Sequence, residues 1–84
     1  MRIVWDEHKR LANLDKHEMD FGGLAGEFFV TALILNARDR RLTAIGRFED
    51  GVATVIFSPL GSEAVSVISM RPASARERRY LDEH

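Results

Sequence analysis

Four arginines crowd the carboxy-terminal stretch between Met70 and Leu81: Arg71, Arg76, Arg78 and Arg79. A guanidinium is a planar fork that holds two phosphate oxygens at once, so arginines gathered in one place suit polyanion binding. Ser74 followed three residues later by Glu77 is a capping box and predicts a helix from about Ala75 to Asp82. Arg71 stands just before that start, and Arg76, Arg78 and Arg79 follow it closely. The positive end of a helix dipole disfavours cations by about 0.3–1 kcal/mol each. Cations held against a local preference imply an anion among them, and a helix N-terminus itself favours phosphate. The competing reading is a solvated helix face.

Lys16-His17 is the second candidate. Imidazole is the side chain that titrates near neutrality, which suits a general acid or base beside a cation. The plainer reading is an exposed basic pair in a loop. His17-Glu18 does not open a zinc motif, because Phe21 stands where a second histidine is needed four residues on. His8, His17 and His84 show no ligand spacing, so neither metal nor cofactor is expected. Serine nucleophile elbows and phosphate-binding glycine loops are absent too. A second basic group comprises Arg38, Arg40, Arg41 and Arg47. Strand alternation puts Arg41, Thr43, Ile45 and Arg47 on one face, where they either contact phosphates or are solvated, with Arg47 pairing to Glu49 or Asp50.

These side chains need a scaffold of only 84 residues, read as a single domain spanning residues 1–84. The net charge of −1 argues against a generic nucleic-acid coat but permits a local basic patch. With no cysteine, disulfides and thiolate metal sites are excluded. No signal peptide or membrane span is read, so a cytoplasmic location and no membrane partner are expected.

Arg2–Trp5 reads as a short strand, and Asp6 as the N-cap of a helix from Glu7 to about Asp15. Asp20 caps a second helix, where Phe21, Leu24, Ala25, Phe28 and Phe29 form a core-facing stripe opposite Gly22, Gly23 and Gly26. Trp5 is read as a core or interface residue. Strands follow over Thr31–Asn36, Arg41–Phe48, Val52–Ser58 and Ala64–Met70. Asp50-Gly51 signals a hairpin, Pro59-Leu60-Gly61 a turn, and Pro72 the end of strand pairing. The fold class is therefore α+β: an antiparallel meander with two N-terminal helices and a C-terminal helix.

Several separated residues resemble one known family. Trp5-Asp6, Lys9, Asn13, Lys16-His17, Phe21 and Ala25 are similar to the start of BrnT-type toxins, and Arg41 with Ile45-Gly46 to their central strand. Ile68-Ser69-Met70-Arg71-Pro72-Ala73-Ser74 with Glu77-Arg78 resembles their closing signature. Two features depart from the pattern. The link Leu35–Arg40 is short and basic, and Tyr80 lies one position early, a rotation of about 100° on a helix. The resemblance implies a RelE-like fold and a metal-independent ribonuclease toxin of a type II toxin–antitoxin system. It implies a BrnA-type ribbon-helix-helix antitoxin as partner, with operator DNA met only through the complex. Carried over by position, His17, Arg41, Arg71 and Arg78 would be catalytic. Lys16, Arg47, Arg76, Arg79 and Tyr80 would contact RNA. The alternative is a non-catalytic antitoxin-binding and co-repressor module using the same arginines.

Overall fold

In the computed structural model, which describes Met1–His84, strand β1 (Arg2–Trp5) leads into helix α1 (Glu7–His17). The Asp6 carboxylate caps α1 by accepting from the His8 amide at 2.8 Å. Glu18 closes the helix in the left-handed region at φ 56°, its N–H donating to the Leu14 carbonyl. A 3₁₀ turn (Phe21–Gly23) and helix α2 (Gly26–Thr31) follow. Then come β2 (Leu33–Asn36), β3 (Leu42–Phe48), β4 (Gly51–Leu60), β5 (Ala64–Pro72) and helix α3 (Ala75–Glu83).

The strands form one sheet in the order β1-β5-β4-β3-β2. β2 to β5 are the antiparallel meander expected from the turns. β1 adds itself in parallel beside β5, pairing Arg2 with Ala64 through Trp5 with Val67. That long-range pairing has no signature in the local pattern.

Two layers cover the sheet unequally. Phe21, Leu24, Phe28 and Phe29 pack against Ala44, Ala53, Val55, Phe57, Val65, Val67 and Met70 to form the core on one face. The Phe29 ring packs edge-on against Phe28 at 5.2 Å within α2 and against Phe57 at 5.0 Å, the second contact joining α2 to β4. Gly46 allows the close approach of α2, since a Cβ there would stand 3.0 Å from the Phe28 ring and 3.1 Å from the Ala32 methyl. Trp5 packs edge-on against Phe21 and donates its indole N–H to Glu7. The alternate residues of β3 and β4, including Ile45 and Thr54, point to the opposite face, where α3 lies.

Three expectations change. The stripe from Phe21 to Phe29 is not one helix: the 3₁₀ turn is capped by Asp20, whose carboxylate accepts from Gly22 N–H, and α2 restarts after Ala25. Ala25 is extended and exposed rather than part of the buried stripe. A 3₁₀ turn followed by a helix delivers Phe21, Leu24, Phe28 and Phe29 to the same side, so the spacing alone does not separate the two. The β3–β4 loop is Glu49-Asp50, with Phe48 and Gly51 already paired, and Glu49 rather than Gly51 takes positive φ at 52°. Pro59 and Leu60 extend β4, and the next turn forms around Gly61 at φ 63°.

Candidate nucleic-acid interface

β1 ends opposite Val67, so β5 has a free edge from Ile68 to Pro72. The C-terminal half of α1 fills that place. The buried Asn13 accepts the Met70 N–H through Oδ1 at 2.9 Å and donates Nδ2–H to the Met19 carbonyl at 3.1 Å. One side chain thus satisfies a strand edge and the chain leaving α1. β5 is irregular here as well: Ile56 pairs with Ser69 and Phe57 with Val67, leaving Ile68 as an unpaired bulge. The outcome is that Lys16 and His17, on the next turn, border a cleft of about 270 Å³ together with Lys9, Ala12, Asn13, Ile68 and Ser69. Asn13 is a residue that residue-type reasoning passed over, because its value depends on an edge amide 57 positions away. Asn13→Ala orphans both backbone groups and is expected to destabilise the fold by roughly 2–4 kcal/mol, read from urea unfolding.

The strand register places the arginines relative to this cleft. Thr43, Ile56 and Ser69 form one row across β3, β4 and β5, and Ile45, Thr54 and Arg71 the next. Arg71 therefore follows Ser69 by two residues on the same face. Arg41 immediately precedes β3 and is exposed, in a turn where Asp39 and Arg40 both take positive φ (58° and 64°). Its side chain forms no ion pair.

Arg71 meets an anion of its own chain. Its Nη1–H and Nη2–H donate to the two Glu77 oxygens at 2.7 and 2.9 Å, with Nη1 also 3.4 Å from the Pro72 carbonyl. Glu77 closes the capping box with Ser74 and accepts from the buried Thr54 hydroxyl at 3.0 Å. Glu77 thus fastens the start of α3 to β4 and β5. The Arg71 fork, followed by the Ser74 amide and the Thr54 hydroxyl, holds the Glu77 carboxyl down from its ordinary 4.5 to about 2. A carboxyl depressed by folding stabilises above its unfolded pKa and loses that contribution as pH falls through the folded value. The stability difference between the parent and Glu77→Gln is therefore expected to be constant above about pH 5 and to shrink between 4.5 and about 2. Unfolding measured at a series of pH values checks this. Glu7, held at about 2 first by Arg10, and Asp20, lowered first by the Gly22 amide, are common to both proteins and cancel in the difference.

Arg78 turns back to donate Nη1–H to the Ala73 carbonyl at 3.0 Å. With Arg47 it borders a larger groove of about 780 Å³, whose rim also carries Glu18, Asp20, Glu49 and Asp50. Arg47 approaches Asp82 at 3.8 Å, not Glu49 or Asp50. Arg76 and Arg79 are exposed without ion pairs, and Tyr80 stacks on His84 with ring centroids 5.7 Å apart. The structure thus brings His17 and Lys16 together and puts Arg71 on the adjoining strand. Arg78 and Arg47 face a separate groove.

The chain matches the family model described as ribonuclease toxin, BrnT, of type II toxin–antitoxin system, over residues 5–77. No match is found among curated proteins. Among solved structures it is similar to the 1.1 Å crystal structure of the Brucella abortus ribonuclease toxin BrnT, with 52% identity and a TM-score of 0.83. That likeness covers 88% of this chain and 97% of the other.

Proposed function

The chain belongs to the BrnT family of type II toxin–antitoxin ribonuclease toxins, and from that premise we propose that it is a metal-independent endoribonuclease acting in the cytoplasm. The observation that carries the reading is the cleft beside His17: two lysines, a histidine, an asparagine and a serine line it, and no carboxylate does. A cationic cleft between α1 and β5 suits a single strand whose bases are splayed away from pairing.

The ribose 2′-hydroxyl attacks the adjacent phosphorus, its proton passes to a base, and the 5′-oxygen leaves as it gains a proton. The products are a 2′,3′-cyclic phosphate and a 5′-hydroxyl. His17 serves as one of the two proton carriers. Arg41 and the free N–H groups of Arg71 stabilise the charge that develops on the phosphoryl oxygens, where a preorganised donor contributes a few kcal/mol. Three Arg71 contacts to Glu77 and Pro72 leave two of its five donors for this task. Arg78 completes the set from the groove side, and Lys16, Arg47, Arg76, Arg79 and Tyr80 contact the flanking strand.

The larger groove supports a second part of the reading. Leu14, Met19, Phe48 and Val52 make an apolar floor, and four carboxylates with two arginines make a mixed rim. That chemistry suits a protein segment, and one seated there would cover Arg47 and Arg78 and deny them to RNA. We assign it to a BrnA-type antitoxin, which alone would bring operator DNA to the complex. Expression without a partner is expected to arrest growth, and co-expression of the antitoxin to relieve it. Harmless expression of a folded, soluble chain would favour the non-catalytic co-repressor module instead.

A further inference from the structure

We propose that Lys9 and Lys16 form a phosphate subsite, so that a bound RNA strand leaves His17 and runs along α1 toward its amino-terminal end. The inference rests on the ribonuclease reading above and adds a substrate path to it. Lys9 and Lys16 are seven residues apart, fall on one helical face, and are separated by about 10.5 Å of axial rise. Both line the cleft that holds His17, and neither forms an ion pair.

Lys9 is the informative one. Lys16 lies in the last turn of α1, where the dipole favours a cation whatever else is present. Lys9 lies in the first turn, where the dipole disfavours it. Arg10 and Arg71 are matched by carboxylates of the same chain, whereas Arg76, in the first turn of α3, is exposed without one and lies outside this cleft. Arg10 is held by Glu7 at 2.7 Å and Asp20 at 3.1 Å, and Arg71 by Glu77 at 2.7 Å. Lys9 has no such partner. Glu7 is occupied by Arg10 and Trp5, Asp6 caps the helix, and Asp15 projects about 100° round the helix from Lys16. An ammonium group neutralises a phosphate as a point charge, which positions a strand without reading its sequence.

The test uses a short single-stranded RNA with every 2′-hydroxyl methylated, which binds but has no nucleophile. Each phosphate contact contributes about 0.7 to the slope of log affinity against log salt for a single strand. Lys9→Ala is expected to make the slope shallower by about 0.7, and the Lys9→Ala/Lys16→Ala pair by about 1.4. From about 50 to about 200 mM salt, the loss of affinity then becomes about 2.6-fold smaller for the single variant. Lys9→Arg restores the slope. Arg2→Ala, the same charge change at the far end of β1, leaves it at the parent value. With cleavable RNA, Lys9→Ala raises KM more than it lowers kcat. If the parent binds and cleaves RNA while Lys9→Ala keeps the parental slope, or if Arg2→Ala shifts it equally, the subsite is overturned and the ribonuclease reading stands. A parent that binds no RNA overturns both.

Discussion

Replacing His17 with alanine is expected to lower RNA cleavage by about 10²–10⁴-fold, the range over which a positioned proton carrier contributes. The imidazole sits at the end of α1, in the cleft that Ile68 and Ser69 also line, and makes no side-chain hydrogen bond. Its side chain is half-buried and holds no hydrogen bond, so its structural value is small. The variant should therefore melt within a few degrees of the parent. Single-turnover cleavage of a labelled single strand, paired with thermal unfolding, separates the two effects. Cleavage within threefold of the parent would remove His17 from the chemistry.

Arg71 carries the second large effect, and the structure changes how it must be tested. Its fork is engaged with Glu77, so Arg71 is both a strut for α3 and a candidate phosphate ligand. Arg71→Ala is expected to lower cleavage by about 10²–10³-fold, as the loss of one preorganised donor does. Glu77 keeps the Ser74 amide and the Thr54 hydroxyl in that variant, so the start of α3 survives. Glu77→Gln reverses the situation. It weakens the anchor of α3 but leaves the guanidinium free, and cleavage per folded molecule should stay within about tenfold of the parent. If both variants lose activity only in proportion to the folded fraction, Arg71 is a strut and nothing more. Arg71→Lys adds a check on geometry, since a point charge cannot replace a fork shared between carboxylate and phosphate.

The parts of the fold that are local were legible in the residues. Asp6, Asp20 and the Ser74/Glu77 box are caps whose partners lie within three positions, and all three form. The meander followed from short turns between apolar runs. What escaped depends on distance in sequence. The parallel union of β1 with β5 joins residues some sixty positions apart, and the edge it leaves is why Asn13 matters. Leu24 and Phe28 keep a helical spacing although the helix is broken between them, because burial constrains where a side chain points more than how the backbone gets there.

The candidate site was legible as a set of residue types but not as an arrangement. The residues point to Arg71 as one of a cationic cluster that Glu77 neutralises in part, and to Glu77 as a helix cap; the bidentate contact between the two is what the structure adds. Their contact required knowing that β5 ends where α3 begins, on the face that Thr54 also shares. Lys9 also stands in the first turn of a helix, where a lone lysine is a weaker signal than four clustered arginines. Arg71 finds its carboxylate within the chain, whereas Lys9, like Arg76, does not.

The most direct test of the central claim is the chemistry of the RNA ends. The purified chain, freed of antitoxin, is incubated with a defined single-stranded RNA in the presence of a chelator, and the products are analysed by mass spectrometry. Fragments ending in a 2′,3′-cyclic phosphate and beginning with a 5′-hydroxyl, lost in His17→Ala, are the expected result. Intact RNA, or fragments with 3′-hydroxyl and 5′-phosphate ends that form only when metal is restored, would contradict it.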